Sequence, residues 1–290
     1  MYTYKDCLEK GEKNMKTKLL STGLAVAVVA LMSTSVNALA LESTSNNLKN
    51  DFNYIEVSKQ VLDYASIVEK LDIDSLERYS REKQNENPTL SEDELNNLLK
   101  AEVIKRGIES NIINADGELI NASPDISPLS YGDLPILKDR LGPNEKKVFN
   151  ESLVKGVAVL SAGNFAMSHY QKYYSGGEDD NADAFRHSLW MAVSSAGVAG
   201  SDFSRRFGIA HEDDFPSSAL ARSMDLNNNN VGISYGPKLA QFAGNADLFD
   251  RMALQMINEA VKKGEMKRFR GTDIGVKTSL VKTNSTGAKK

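Results

Sequence analysis

Two side chains that often bind metal ions lie four residues apart in a segment with helical periodicity. Residues 181–196 carry apolar side chains in steps of three and four, which predicts a helix with Asp183, Arg186 and His187 on a polar stripe away from the main core face. Side chains at positions i and i+4 are neighbours on a helix, so Asp183 and His187 can converge on one ion or one hydrogen-bonded partner. The same spacing also fits an ordinary ion pair, so both interpretations stay open.

A second candidate histidine lies in the next helical segment, over residues 202–212. His211 falls close to the inward face marked by Phe203 and Phe207 on a helical wheel, so we expect it to point into the protein. A buried histidine satisfied by a carboxylate or a backbone carbonyl gives the same pattern as a metal ligand. Glu212 follows directly, and it can act as a ligand, a general base or a group that orients a ligand.

An asparagine-rich segment follows these two helices. Residues 223–232 contain Asp225 and a run of asparagines, and this composition predicts a polar loop because asparagine tolerates left-handed backbone and satisfies turns through its side chain. Asp225 supplies a further carboxylate, while the amides of Asn228 and Asn229 can hold an oxyanion or a ligand. The third histidine of the chain, His169, lies among tyrosines at the end of a predicted helix, where helix capping or ring stacking explains its presence.

Helical signals extend over most of the chain and predict an all-α protein with two helical regions. Residues 41–113 form the N-terminal region, in which Ser91 and Glu94 predict a capping box at the start of one helix. Residues 114–140 are rich in glycine, proline, serine and asparagine, a composition typical of a linker. Residues 141–270 form the C-terminal helical domain, which carries every candidate site residue.

Both ends of the chain are expected to lie outside these helical regions. Residues 1–40 have the charged, apolar and small-residue parts of a secretory signal peptide, with translation expected to start at Met15 and cleavage near Ala40. The apolar run is shorter than the ~20 residues that span a bilayer, so we expect a secreted mature protein without a transmembrane segment. Residues 271–290 are basic and small, which predicts a flexible tail.

Composition narrows the classes of function. Cys7 is the one cysteine of the chain, which excludes an internal disulfide framework and a cysteine-rich zinc site. The net charge of -4 gives no basic field for a phosphate backbone, so generic nucleic-acid binding is disfavoured. Chemistry must therefore come from histidines, carboxylates and amides.

Three ordered motifs of the second region resemble a bacterial family of uncharacterised domains. The motifs are AFRH-x-x-W from Ala184, AHE from Ala210 and MDL-x-NN-x-x-G from Met224. Members of this family look like the C-terminal regions of secreted, wall-associated and polymorphic-toxin-like proteins. The resemblance implies that one set of side chains clusters: Asp183, Arg186, His187, His211, Glu212, Asp225, Asn228 and Asn229. The residue types are also similar to those of all-helical zinc phospholipases and nucleases, and this similarity implies that the cluster binds a metal ion.

Three functions fit these residues. The leading hypothesis is a secreted, toxin-like hydrolase of phosphoesters, in phospholipid or nucleic acid, that uses zinc or another divalent metal ion. Its expected metal ligands are Asp183, His187, His211 and Asp225, and its expected catalytic residues are Glu212, Arg186 and Asn229. The second hypothesis uses His187 or His211 as a general base without a metal. The third is a non-catalytic module that binds a cell-envelope component, in which the same residues form a buried hydrogen-bond network.

Overall fold

Helices and one small sheet make up the part of the chain that the structure describes. The structure is a computed structural model, and it describes residues 63–114, 116–120, 141–215, 217–270 and 279–289. The helices are α1 (Tyr64–Val68), α2 (Ile73–Glu86), α3 (Glu92–Glu109), α4 (Pro143–Phe149), α5 (Leu153–Tyr173), α6 (Asn181–Ala196), α7 (Gly200–Asp214), α8 (Ala219–Ala240) and α9 (Ala246–Lys262). The strands β1 (Lys267–Phe269) and β2 (Leu280–Lys282) pair antiparallel. The prediction of an all-α fold is confirmed, with this short hairpin added.

One core joins the helices on both sides of the predicted linker. Helices α2 and α3 pack against α5, and a continuous cluster of buried apolar side chains runs from Ala65 to Met266. The predicted signal peptide over residues 1–40 and the linker residues 121–140 lie outside the described residues. Within the described ranges, no helix is long and apolar enough to cross a membrane.

Short-range capping sets where the helices begin. The side chain of Ser91 accepts a hydrogen bond from the backbone N–H of Glu94, and Glu94 accepts one from the backbone of Ser91 in return. This reciprocal pair is the predicted capping box, which is confirmed. Asp180 caps α6 by accepting from the backbone N–H groups of Ala182 and Asp183. The helix predicted over residues 181–196 has those bounds in the structure.

Helix α6 is buried on every side, which differs from the amphipathic helix predicted for it. It packs against α5, α7, α8, α9 and β1, so its polar stripe faces other helices instead of solvent. His187 is only 5% exposed and Arg186 only 2%. The polar stripe is therefore an internal site, and each of its polar groups requires a partner inside the protein.

The asparagine run does not form the predicted loop and instead continues α8. Asn228 is fully buried and Asn229 is 3% exposed. Asparagine favours turns when its side chain bonds to the local backbone, but here the two side chains bond to other elements. Tertiary partners therefore override the low helix propensity of the run.

Glycine lets α8 approach α6 closely. A Cβ atom at Gly232 would collide with the carbonyl oxygen of Ser188, and one at Gly236 would collide with the side chain of Ser195. Larger residues at these two positions would push the helices apart. The distance between α6 and α8 is consequently set by contact with the backbone.

The C-terminal residues 279–289 are ordered against α6, so the prediction of a flexible tail is wrong for them. Strand β2 pairs with β1, and the backbone N–H of Ser175 donates to the carbonyl of Gly287 at 2.7 Å. The side chain of Asn181 donates to Asn284 Oδ1 at 2.9 Å. These long-range hydrogen bonds hold the segment in place, although its sequence has no apolar periodicity.

Candidate metal centre

Three potential ligand atoms from two helices converge in the interior. His187 Nε2 on α6 lies 3.4 Å from Asp183 Oδ1 on the same helix and 3.7 Å from Asp225 Oδ1 on α8. Ligand atoms of all three residues lie within 4.8 Å of one another. Each of the three residues is at most 8% exposed. Asp183 and His187 meet because of their i, i+4 spacing, and the close packing of α8 on α6 brings in Asp225.

Asn229 fixes the orientation and the tautomer of the His187 ring. His187 Nδ1 lies 3.2 Å from Asn229 Oδ1, an amide oxygen that can only accept a hydrogen bond. The Nδ1 atom therefore carries the proton, and Nε2 presents a lone pair toward Asp183 and Asp225. Metal-binding histidines are commonly held in this way through their other ring nitrogen.

Arg186 and the loop before α6 hold the Asp183 carboxylate. The guanidinium of Arg186 donates to Asp183 Oδ1, and the backbone N–H of Asp179 donates to Asp183 Oδ2 at 2.8 Å. Arg186 also donates to the carbonyl of Gly177 at 3.0 Å and stacks on the ring of Tyr170. Arg186 therefore orients the Asp183 carboxylate.

Negative groups accumulate around His187 without enough hydrogen bonds to satisfy them. Asp225 Oδ1 and Glu212 Oε1 are buried and have no hydrogen-bond partner among the described residues. Burial, together with the carboxylates of Asp183 and Glu212, raises the pKa of Asp225 to about 10. Burial raises the pKa of Glu212 to about 7, against the opposing charge of His211. A cation placed among these oxygens would stabilise the ionised forms of the carboxyl groups, which burial alone disfavours.

His187 stays neutral under the same conditions. Burial lowers its pKa well below the usual value, and the positive charges of Arg186 and His211 lower it further. Neutral imidazole is the form that binds metal ions. The protonation states of His187 and its neighbours therefore favour a divalent cation over a protonated histidine as the partner of the carboxylates.

His211 lies beside this cluster and is bonded to a residue that the sequence analysis missed. Its Nδ1 lies 2.8 Å from Glu145 Oε1, and the ring centroids of His211 and His187 are 6.4 Å apart. His211 points inward as predicted, but its ligand atoms are not part of the converging group formed by Asp183, His187 and Asp225. Burial opposes protonation of His211, and the hydrogen bond and charge of Glu145 outweigh it, so the pKa is raised.

Glu145 is 2% exposed and is fixed at the start of α4. Its Oε2 accepts from the backbone N–H of Gly142 at 2.8 Å, and its own N–H donates to Asp214 Oδ2 on α7 at 2.8 Å. Pro143 at the first turn followed by a glutamate at the third helical position is a capping signal visible in the sequence. The contact with His211 is not, because 66 residues separate the partners.

Two further candidates have structural partners. Asn228 Oδ1 accepts from the backbone N–H of Lys267 at 2.8 Å, and its Nδ2 donates to the carbonyl of Lys267 at 3.0 Å, which attaches β1 to α8. His169 Nδ1 lies 2.8 Å from the carbonyl oxygen of Phe165, and the two rings are in contact. Asn228 therefore anchors the hairpin, and His169 belongs to a separate local cluster on α5.

The converging group fits a divalent metal ion by spacing and by chemistry. Two ligands bound to zinc at tetrahedral angles are separated by about 3.3–3.6 Å, given zinc–nitrogen and zinc–oxygen distances of about 2.0–2.2 Å. The two distances from His187 Nε2, 3.4 and 3.7 Å, are close to this range. One imidazole and two carboxylates form a donor set for zinc or another divalent ion, and three ligands leave coordination positions open.

One family model matches the part of the chain that contains this site. Residues 146–265 match the family model described as Domain of unknown function (DUF6973). Neither the curated proteins nor the solved structures contain a match. The matched residues include all three converging ligands and Asn229, whereas Glu145 and strand β2 lie outside the match. Over residues 146–265 the chain is therefore similar to a domain family of unknown function, as the resemblance predicted.

Proposed function

We propose that this protein is an exported, metal-dependent hydrolase that holds a divalent cation between Asp183, His187 and Asp225. The observation that carries the proposal is the lone pair of His187 Nε2, which faces two carboxylate oxygens at 3.4 and 3.7 Å in a buried site. A divalent cation between this lone pair and the two carboxyl groups would displace the proton of Asp225 and interact favourably with all three ligand atoms. Zinc is the first candidate because the donor set and its spacing suit it.

The residues beside the ligands supply the remaining hydrolytic groups. A divalent ion would contribute Lewis acidity and generate a nucleophile from water near neutral pH. Glu212 is 4% exposed and its Oε1 lies 3.9 Å from His187 Nδ1, so it can accept a proton close to the ligands. The Nδ2 group of Asn229 is buried without a hydrogen-bond partner among the described residues, and it can donate to a developing oxyanion.

A phosphoester is the substrate class that we propose for this site. Divalent ions held by oxygen and nitrogen ligands bind and polarise phosphoryl oxygens. Arg186 does not contribute to this argument, because its Nη1 and Nη2 groups already donate to Gly177 and Asp183. Export is supported by Lys16 and Lys18 ahead of an apolar run that ends in a small-residue cleavage sequence.

A non-catalytic structural module is the second candidate, and a specific observation favours it. The side chain of Asn228 makes two hydrogen bonds to the backbone of Lys267, as expected if the motif residues fix the packing of the fold. This candidate gives His187 a structural role, so His187→Ala should unfold the protein. The metal site instead predicts a folded His187→Ala variant that has lost its cation.

The test is elemental analysis of purified protein after dialysis and after re-addition of zinc or manganese. We expect one stoichiometric metal ion in the wild type and none in folded His187→Ala and Asp225→Asn variants. His169→Ala is the matched control, because it removes a histidine that lies outside the ligand cluster, and it should retain the metal. A folded wild type without metal would contradict the proposal, and so would metal retained in both ligand variants.

The hydrolase activity has its own test. The metal-loaded protein should hydrolyse phosphodiester or phospholipid substrates, and Glu212→Gln should retain the metal with a strongly reduced rate. Loss of one acid–base group typically lowers a rate by about 10²–10⁴-fold. Metal binding without turnover of either substrate class would leave the metal site standing and remove the proposed substrate class.

A further inference from the structure

The C-terminal segment of the described chain is bonded to the loop that precedes α6. We define residues 283–289 as the clamp segment and residues 174–180 as the preceding loop. Asn181 Nδ2 donates to Asn284 Oδ1 at 2.9 Å and to the carbonyl of Thr286 at 2.8 Å, while Asn181 Oδ1 accepts from the backbone N–H of Asn284 at 3.1 Å. One buried side chain therefore makes three hydrogen bonds to the clamp segment.

Backbone bonds extend this attachment to the residues that precede Asn181. Ser175 donates its N–H to the carbonyl of Gly287 at 2.7 Å, and Lys289 donates its N–H to the carbonyl of Tyr173 at 2.7 Å. Strand β1 adds a bond from the N–H of Phe269 to the carbonyl of Asp179 at 2.8 Å. The preceding loop is thus held at its start, at its end and at Asp179.

The preceding loop in turn holds a ligand of the candidate metal centre. Asp179 donates its N–H to Asp183 Oδ2, and Gly177 accepts from Arg186, which also holds Asp183. The loop includes Asp179 in the left-handed region, with φ 59°, which few non-glycine residues adopt. Without the clamp segment, the loop would lose the bonds at Tyr173, Ser175 and Asn181 that help to keep the Asp179 N–H directed at the carboxylate.

We infer that the clamp segment is a positioning element of the metal centre, which acts through Asn181 and the preceding loop to direct the Asp183 carboxylate. This inference rests on the metal site of the proposed function. The clamp segment lies beyond residue 265, where the match to the family model ends. The clamp segment would therefore act on the site through residues that lie outside the family match.

The test compares two substitutions within the clamp segment of the full chain. Asn284→Ala removes one of the two acceptors of Asn181 Nδ2, whereas Thr286→Ala is the matched control because Thr286 contributes only its backbone carbonyl to Asn181. Asn284→Asp keeps the acceptor oxygen and serves as the conservative rescue. The readouts are amide hydrogen exchange of Asp179 in metal-free protein, the zinc dissociation constant, and the visible absorption spectrum of the Co²⁺-loaded protein.

We expect Asn284→Ala to accelerate amide exchange at Asp179 about tenfold. We also expect it to weaken zinc binding about tenfold, which is the lower end of the loss in metal affinity seen when a group that orients a ligand is removed. The Co²⁺ spectrum should change, and Thr286→Ala and Asn284→Asp should match the wild type in all three readouts. Unchanged exchange at Asp179 would overturn the inference, as would faster exchange with an unchanged zinc dissociation constant and Co²⁺ spectrum.

The two proposals fail in distinguishable ways. A wild-type protein that binds neither zinc nor Co²⁺ removes the metal site itself and with it the positioning of a ligand. A wild type that binds both ions, with equal dissociation constants for Asn284→Ala and Thr286→Ala, keeps the metal site and removes the role of the clamp segment. A metal-free Asn284→Ala variant that keeps its far-ultraviolet circular dichroism spectrum excludes unfolding as the cause of weaker binding.

Discussion

Raising the pH from 7 to 8.5 should destabilise the metal-free protein and should have a much smaller effect on the metal-loaded protein. The group responsible is Asp225, whose pKa is raised to about 10 by burial and by neighbouring carboxylates. In this range the folded metal-free protein keeps a proton on Asp225, while the unfolded chain has lost it. The folded state binds more protons, so the free energy of unfolding falls as the pH rises.

The magnitude follows from this one proton. A difference of one bound proton changes the free energy of unfolding by about 1.4 kcal/mol per pH unit, so the loss between pH 7 and 8.5 is about 2 kcal/mol. His211 adds to the loss in the same direction, because its pKa is raised and its unfolded-state value is near 6.5. Glu212 contributes little to this loss of stability above pH 7, because its own raised pKa is about 7 and the folded protein also loses this proton in that range. A bound divalent ion displaces the proton from Asp225, which removes the largest contribution.

Urea unfolding at pH 7, 7.5, 8 and 8.5 measures the effect. Trp190 is the one tryptophan of the chain, it is fully buried, and its ring contacts that of His211, so its fluorescence reports unfolding at the site. The comparison is between protein in EDTA, zinc-loaded protein and an Asp225→Asn variant, whose side chain does not titrate. Equal slopes for the wild type in EDTA and Asp225→Asn would refute the assignment of the proton to Asp225. A flat profile in EDTA would refute the raised pKa itself.

Three further substitutions test the packing and the hydrogen bonds around the site. Gly232→Ala should lower the stability by about 1–3 kcal/mol in thermal or urea unfolding, because its new methyl group collides with the backbone of Ser188. Asn228→Ala should cost about 2–4 kcal/mol, because it leaves a backbone N–H and a carbonyl of Lys267 without their partners. Glu145→Gln should lower the pKa of the bonded histidine, as followed by NMR titration of its ring protons, because the imidazolium loses its charged partner.

The glycine and asparagine substitutions each have a control in the same chain. Gly244→Ala adds a methyl group where no atom lies within 4 Å, so it should not destabilise the protein through a clash. Asn230→Ala changes an exposed asparagine of the same run, and the stability should stay within about 0.5 kcal/mol of the wild type. Equal losses for Gly232→Ala and Gly244→Ala would contradict the close approach of α8 to α6, and equal losses for Asn228→Ala and Asn230→Ala would contradict the anchoring of β1.

Helix positions could be predicted from the sequence where the determining contacts are local. The bounds of α6 follow from the apolar spacing of residues 181–196, and the start of α3 follows from Ser91 and Glu94. Capping bonds join residues three positions apart, so the sequence contains both partners within one window. These elements require no knowledge of the rest of the fold.

Other features depend on partners that are distant in the sequence. The asparagine run of α8 resembles a loop because its helix propensity is low, and only the bonds of Asn228 to β1 and of Asn229 to His187 explain why it is helical. Asp183 and His187 could be paired from their spacing alone. The approach of Asp225 to them, and the bond between Glu145 and His211, arise from helix packing that no local pattern records.

The backbone contact between α6 and α8 has a consequence for how the domain tolerates mutation. The separation of Asp183 and His187 from Asp225 depends on how closely these two helices approach, and that approach requires glycine at positions 232 and 236. Substitutions in apolar side chains elsewhere in the core can therefore accumulate, and reduce stability, while the three ligand atoms keep their spacing. In a library of random variants selected for metal binding, these two glycines should vary far less than the apolar residues of α5.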